Sequence, residues 1–347
     1  MTIIRALHKI EDGGEAVVAQ VTLAESGDMF CVEPHETILA AALKAGVDLA
    51  HDCKTGFCGS CRIRLLEGEV AYDEAPLGLS EEERGCGFAL ACQARARMNL
   101  RVAAELMPLD RPEPTEIVTE VLSVTPVCAD ILRLRLRPTG GMPAFLPGQY
   151  VNVVTQSGAT RSFSIASAPS EGEIDLHIRV IPGGMFTAGE LPELRPGARV
   201  DLHGPHGLFR LHPEDFRPLL LVATGTGIAP LRAMLAALKE EPDGPPVALY
   251  WGMREEDELY MVDEIAALGA ELDDFTFVPV LSRASEGAHR AGYVQDAVLA
   301  DLPDLSEHAI YLCGSPEMIA DARGRFLEAG ASVNHIYADS FHFAHNL

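Results

Sequence analysis

Four of the eight cysteines in this chain of 347 residues are spaced for metal chemistry: Cys53, Cys58 and Cys61 share one short segment, and Cys92 stands far downstream. Three thiolates on one tight loop plus a distant fourth suit an iron–sulfur cluster of the [2Fe-2S] kind, the loop gripping one iron twice and reaching the second once. Gly56 and Gly59 let backbone N–H groups turn towards the sulfurs with no Cβ in the way. A structural zinc site ordinarily presents its ligands as two close pairs, so an electron carrier is the first expectation. Cys86, between Gly85 and Gly87 after an acidic helical run, reads as a loop thiol, and Cys92 is the expected fourth ligand. Cys31, Cys86 and Cys128 are expected to be small buried or surface side chains.

A second chemistry is suggested by Thr224-Gly225-Thr226-Gly227-Ile228-Ala229-Pro230, a glycine-rich turn that opens a helix whose free N–H groups can receive a pyrophosphate. The turn lacks the third glycine of a dinucleotide fingerprint and the lysine of a P-loop, so alone it reads equally well as a tight turn without a ligand. Cys313-Gly314-Ser315-Pro316 strengthens the ligand reading. It is a second tight turn at the C-terminal end of a later strand, where ligands gather in open α/β sheets.

The elements that must position these residues change character twice along the chain. Val17 to Leu23 and Met29 to Val32 are β-rich runs around a turn at Glu25 to Asp28, and Glu36 to Ala45 has the period of an amphipathic helix. A Pro-rich stretch, Met107 to Pro114, reads as a linker. Strands with Gly/Pro turns follow at Ile117 to Val124, Ile131 to Leu136, Tyr150 to Val154, Ile174 to Ile181 and Val200 to His203, a rhythm that predicts an antiparallel barrel. After Phe216 short apolar strands at Leu219 to Ala223, Val247 to Trp251, Phe275 to Val280, Ile310 to Cys313 and Ile336 to Ala338 alternate with helical segments such as Pro230 to Leu238 and Pro316 to Leu327. That alternation predicts a doubly wound parallel sheet. The expected domains are residues 1–106, a linker at 107–114, then 115–213 and 214–347, a multidomain α+β and α/β chain.

Composition narrows the function classes. The net charge of −24 argues against nucleic acid or an anionic membrane as partner, and the excess is diffuse, residues 1–105 carrying 17 acidic and 10 basic side chains. Met1 to Gly14 has no long apolar core and does not read as a secretory signal. The apolar stretch Leu219 to Leu238 is broken by Gly225, Gly227, Pro230 and Arg232, which suits a strand, turn and helix better than a membrane span. The cysteine usage suits a reducing cytoplasm.

Read together, the cysteine loop, Arg161-Ser162-Phe163-Ser164, Gly183-Gly184-Met185-Phe186-Thr187, the Gly225 turn, the Cys313 turn and the closing Asp339-Ser340-Phe341 occur in a familiar order. The chain resembles the ferredoxin–NAD(P)H reductase family with an N-terminal plant-type ferredoxin, as in reductase components of naphthalene, benzoate and terephthalate dioxygenases. The resemblance implies a β-grasp ferredoxin, an antiparallel flavin-binding β-barrel and a doubly wound nucleotide-binding domain. It implies that Arg161 pairs with the FAD pyrophosphate, Ser162 lies in the same flavin segment, Phe163 stacks on the isoalloxazine where the family more often has Tyr, and Ser164 bonds near flavin N5. Gly184, Met185 and Thr187 would hold the FAD phosphates. Gly225, Thr226, Gly227, Gly314 and Ser315 would face the nicotinamide dinucleotide, with Cys313 beside its nicotinamide ring. Asp339 stands where a glutamate is common, and Phe341 would cover the flavin until nicotinamide displaces it. The segment Ala89-Leu90-Ala91-Cys92-Gln93 resembles the family's fourth-ligand segment. His342 to Leu347 read as a tail.

The expected function is conversion of two-electron to one-electron transfer: NAD(P)H gives hydride to FAD, and single electrons pass through the cluster to a terminal oxygenase, expected to be a Rieske-type aromatic-ring hydroxylating enzyme. Reductases of a soluble di-iron monooxygenase or of a sugar-deoxygenation enzyme are alternatives within the same architecture. A zinc-bearing binding module and a redox sensor that binds NAD(H) are alternatives of another class. NADH is expected to be preferred over NADPH, because Glu255, Glu256, Asp257 and Glu258 follow Arg254 at a strand end and would repel a ribose 2′-phosphate. Arg254, expected among the cofactor-binding residues, and the pair Ser282-Arg283 favour the opposite outcome.

Overall fold

A computed structural model describes residues 18–108, 111–212, 215–241, 243–283 and 289–341. The expectations for Met1 to Gly14, for Val17 and for His342 to Leu347 lie outside these residues. The chain divides into two compact units between Arg111 and Pro112, inside the Pro-rich stretch.

In the first unit β1 (Ala19–Leu23), β2 (Met29–Val32), β3 (Arg62–Glu67), β5 (Phe88–Leu90) and β7 (Leu100–Ala104) form one sheet in the order β2-β1-β7-β3-β5, while β4 (Val70–Ala71) and β6 (Arg95–Ala96) pair separately. β1 runs parallel to β7, and the other pairs are antiparallel. Helix α1 (Ile38–Lys44) lays Ile38, Leu39, Ala41 and Ala42 on the sheet, and the Thr37 side chain accepts its first-turn N–H from Ala40. This helix across a mixed sheet is the β-grasp arrangement. Helix α2 (Glu81–Gly85) is short, and Ser80 and Glu83 cap it reciprocally.

The second unit begins with six antiparallel strands: β8 (Thr115–Cys128), β9 (Ile131–Pro138), β10 (Tyr150–Val154), β11 (Thr160–Ser164), β12 (Ile174–Arg179) and β13 (Arg199–His206), in the order β11-β10-β13-β8-β9-β12. The two edges meet where Ile165 bridges Leu176 and the Ala166 N–H donates to the Asp175 carbonyl, which closes the barrel around a core that includes Val121, Leu134, Ile165, Leu176 and Leu202.

Then come β14 (Leu219–Thr224), α3 (Ile228–Leu238), β15 (Val247–Met253), α4 (Val262–Gly269), β16 (Phe275–Leu281), β17 (Arg290–Ala291), α5 (Val294–Asp301), β18 (Ala309–Gly314), α6 (Pro316–Glu328) and β19 (Ile336–Ser340). All six strands are parallel, in the order β17-β16-β15-β14-β18-β19. The order reverses at β14, between β15 and β18, so the crevice at the C-terminal ends of β14 and β18 is the topological switch point. One core lies on each face of the sheet, with Leu221, Leu235 and Trp251 on one side and Leu220, Val298 and Phe326 on the other.

Candidate redox and nucleotide sites

In the first unit the cysteine loop enters β3 under the control of backbone donors. The N–H groups of Thr55 and Cys58 each point at Cys53 Sγ at 3.4 Å, and that of Ser60 points at Cys58 Sγ at 3.5 Å. Gly56 and Gly59 both have positive φ, and a Cβ on Gly56 would stand 2.8 Å from Gln93, the neighbour of Cys92. The thiols fall into two pairs. The Cys58 sulfhydryl donates to Cys53 and, against burial, draws that thiol down to about 4; the Cys61 sulfhydryl donates to Cys92 and draws it below the usual range.

Among the described residues no three His, Cys, Asp or Glu side chains gather as a single-ion site. Two pairs of cysteine sulfurs with N–H donors aimed at them suit two irons rather than one, so the residues fit a [2Fe-2S] cluster. Cys92 is buried in this group, whereas Cys86 ends α2 at the surface. Cys31 is exposed and Cys128 half-buried.

In the second unit the alternation of β11 puts Arg161 and Phe163 on one face and Ser162 and Ser164 on the other. The Phe163 ring lies 5.8 Å from Phe186, next to the exposed Met185. Gly184 leaves no room for a Cβ, which would stand 2.6 Å from Thr187 Oγ1, and that oxygen accepts the Ile181 N–H at 3.1 Å. The Arg161 guanidinium donates to the Thr160 carbonyl, and the Ser162 hydroxyl donates to Asn152 at 2.7 Å. An aromatic face, a guanidinium and a tight glycine turn on one barrel edge fit a flavin dinucleotide.

The two glycine turns of the nucleotide sheet interlock. A Cβ on Gly227 would stand 2.3 Å from the Cys313 carbonyl oxygen, and one on Gly314, at φ +135°, would stand 2.3 Å from Thr224 Oγ1. That hydroxyl accepts the Ser315 N–H at 3.1 Å, and the Gly314 carbonyl accepts the Phe341 N–H at 2.9 Å. Gly225 has φ +58°, and its carbonyl accepts the Trp251 indole N–H at 2.9 Å. Thr226, between the two glycines, is half-buried. Cys313 is fully buried, and burial, then the Asp339 charge, pushes its thiol well above the usual range, so it sits there neutral. The Ser164 hydroxyl donates to Asp339 at 3.2 Å, joining the flavin strand to β19. The shorter aspartate side chain thus spans the distance to the barrel.

At the neighbouring strand ends the acidic run divides its roles. The Glu258 carboxylate accepts the backbone N–H groups of Arg254 and Glu255, and so caps a turn instead of facing solvent; Glu255 lies 4.0 Å from Arg283 across the ends of β15 and β16. Arg254 itself is exposed. Arg179 carries no sequence motif, yet its guanidinium lies 3.4 Å from where a Cβ on Gly225 would stand and pairs with Asp130 at 3.0 Å. It sets a cation beside a glycine turn that has none of its own. Only its place at the end of a barrel strand, next to the Gly183 segment, could have pointed to it.

Comparison with known proteins agrees with this division. Residues 21–97 match the 2Fe-2S iron-sulfur cluster binding domain, residues 119–211 the oxidoreductase FAD-binding domain and residues 221–324 the oxidoreductase NAD-binding domain. The chain is 37% identical over 318 residues to the reductase subunit of an aromatic O-demethylase from Amycolatopsis, covering 89% of this chain and 95% of that one. It is 35% identical over 326 residues to the CDP-6-deoxy-L-threo-D-glycero-4-hexulose-3-dehydrase reductase of Yersinia pseudotuberculosis, covering 92% and 98%. Among solved structures, the ferredoxin reductase in carbazole 1,9a-dioxygenase superposes with a TM-score of 0.64 at 27% identity, covering 95% of this chain and all of that one. No helix among the described residues is long and apolar enough to cross a membrane. The chain belongs to the family of NAD(P)H-dependent iron–sulfur flavoprotein reductases, in which a [2Fe-2S] domain, an FAD-binding barrel and an NAD-binding domain share one polypeptide and pass electrons from a nicotinamide to a partner enzyme.

Proposed function

We propose that this reductase delivers its electrons to a terminal oxygenase, of the Rieske type that hydroxylates aromatic rings. FAD, when bound, accepts hydride from NADH and releases single electrons. Cys53, Cys58, Cys61 and Cys92 would hold the cluster, which would supply one-electron transfer. Arg161 and the Gly184 to Thr187 segment hold the flavin phosphates, with Phe163 against the ring. Gly225, Thr226 and Gly227 take the nicotinamide pyrophosphate, with Arg179 as the nearby cation. Cys313, Gly314, Ser315 and Phe341 line the nicotinamide end, and Ser164 and Asp339 hold a proton between them where flavin and nicotinamide meet.

The observation that carries this reading is the contact between Ser164 and Asp339, which brings the flavin strand and the nicotinamide crevice to one point. The oxygenase assignment is supported by the neighbour named for a carbazole dioxygenase. The sugar-dehydrase relative supports a second reading, in which the acceptor is an enzyme of sugar deoxygenation. Reconstitution separates the two: with NADH, the purified protein should bleach the visible spectrum of a Rieske oxygenase. Failure with several such oxygenases, together with reduction of a sugar dehydrase, would replace the first reading with the second.

A further inference from the structure

Arg232 lies on α3, the helix opened by the Gly225 turn, and its side chain bridges the barrel and its own domain. It is 6% exposed. One guanidinium nitrogen donates to the Ala166 carbonyl at 3.1 Å, two residues after Ser164 on the flavin segment, and also pairs with Glu171; the second terminal nitrogen reaches Glu171 at 2.6 Å. Glu171 is held in turn by the Ala168 N–H at 2.6 Å. The remaining nitrogen of Arg232 donates to Glu264 on α4 at 2.9 Å.

Glu264 also receives Arg133 of β9 through two bonds, at 2.9 and 3.3 Å, and Arg133 donates to the buried Asp175 at 2.8 Å. From the same strand as Asp175, His177 meets the Tyr260 hydroxyl at 3.1 Å. The Tyr260 ring packs edge-on against Trp251, whose indole holds the Gly225 carbonyl. Two routes therefore fasten the pyrophosphate turn to the flavin barrel, one through the side chain of α3 and one through the indole beneath the turn. The second route ends on Gly225 itself, whereas the side chains of the first, Arg232, Glu171 and Glu264, are assigned to neither flavin nor nicotinamide.

We infer that Arg232, clamped by Glu171, the Ala166 carbonyl and Glu264, is a positioning residue for hydride transfer, fixing the nucleotide domain on the barrel so that the nicotinamide ring meets the flavin at reacting distance. A planar five-donor fork can make these four bonds at once in one fixed geometry, two of them to Glu171, which a three-donor ammonium cannot. Hydride transfer demands alignment within fractions of an ångström, and a small misplacement by a distant residue costs rate rather than affinity. The inference concerns the step from nicotinamide to flavin and is independent of which partner enzyme accepts the electrons.

The test compares holoprotein with Arg232→Gln, Arg232→Lys and Glu171→Gln, and with Arg199→Gln, whose exposed pair with Asp201 lies outside the network. FAD content, the long-wavelength charge-transfer absorbance on anaerobic mixing with NADH, and the NADH dependence of flavin bleaching are read. Arg232→Gln should keep its FAD and bind NADH within about twofold of wild type, yet lose the charge-transfer band and bleach on the order of tenfold more slowly at saturating NADH. Arg232→Lys should recover little of this, and Arg199→Gln should match wild type. A folded Arg232→Gln with unchanged charge-transfer absorbance and bleaching, or a defect entirely in NADH affinity, would overturn the inference. Should Arg232→Gln not fold, Glu171→Gln decides: a few-fold loss of saturating rate with a weakened band supports positioning, and wild-type behaviour ends it.

Discussion

Cys92 and Cys86 show how single side chains divide between chemistry and surface. Cys92 is buried, accepts a hydrogen bond from the Cys61 sulfhydryl and is backed by a glycine loop, whereas Cys86 merely ends a short helix. Cys92→Ser should therefore abolish the cluster's visible absorbance and Cys86→Ser should leave it intact; the reverse pattern would refute the ligand set. The coenzyme preference is also decided by single residues. Arg283 is the side chain that could take a ribose 2′-phosphate, and Glu255 already stands beside it, both well exposed. An exposed pair is weak, so Glu255 biases the site without closing it. NADH should be preferred, Glu255→Gln should raise kcat/KM for NADPH a few-fold with little change for NADH, and Arg283→Ala should lower NADPH use only. A native preference for NADPH that Arg283→Ala abolishes would reverse this. The cysteines, both glycine turns and the β11 segment were legible because each is a local motif. Arg232, Arg133 and Glu264 were not, since their partners come from other elements, and Arg179 is marked only by its place next to the Gly183 segment.

At the scale of elements, the interlocking of two turns is the feature the nucleotide site depends on most. Gly227 has an ordinary helical φ of −59°, so an alanine there would be strained by space and not by backbone geometry. The added methyl must push the ends of β14 and β18 apart. Gly227→Ala should cost roughly 1–3 kcal/mol in thermal or urea unfolding and raise KM for NADH, while the protein keeps its full complement of iron and FAD. Unchanged stability and KM would show that the turn has slack. Strand alternation and Gly/Pro punctuation made most strands of the barrel and parallel sheet readable, within a few residues at their ends. β8 runs on through Pro126 to Cys128 and β13 through Pro205 to His206, beyond the ends expected at Val124 and His203. Helices α4 and α5 follow from the alternation of strands and helices, though their bounds were not drawn. The closure of the barrel was beyond sequence reading, because one isolated bridge accomplishes it.

For the whole molecule, acid should act on the flavin–nucleotide unit through the charges that join its two sheets. Burial would by itself raise the carboxyl of Asp175, but the adjacent His177 and the charge and hydrogen bond of Arg133 outweigh it and hold the group down to about 2. A carboxylate depressed in the folded state stabilises it at any pH above its ordinary value, and that stabilisation is lost as pH falls from about 4 towards about 2. The difference amounts to roughly 2 kcal/mol, within the range where a single group changes folding measurably. Trp251 is the only tryptophan of the chain and is buried in this unit, so its emission reports the unit's unfolding separately from events at the cysteine loop. Urea titrations followed at Trp251 should find Asp175→Asn less stable than wild type at pH 7 by about 3–5 kcal/mol, as expected when one partner of a buried pair is removed. The gap should narrow once the pH drops below about 4, because the wild type then begins to protonate the group that the variant lacks. A gap that stays constant down to pH values near 3 would mean that Asp175 stabilises the unit through its shape and hydrogen bonds alone, and that its charge plays no part in joining barrel to nucleotide sheet.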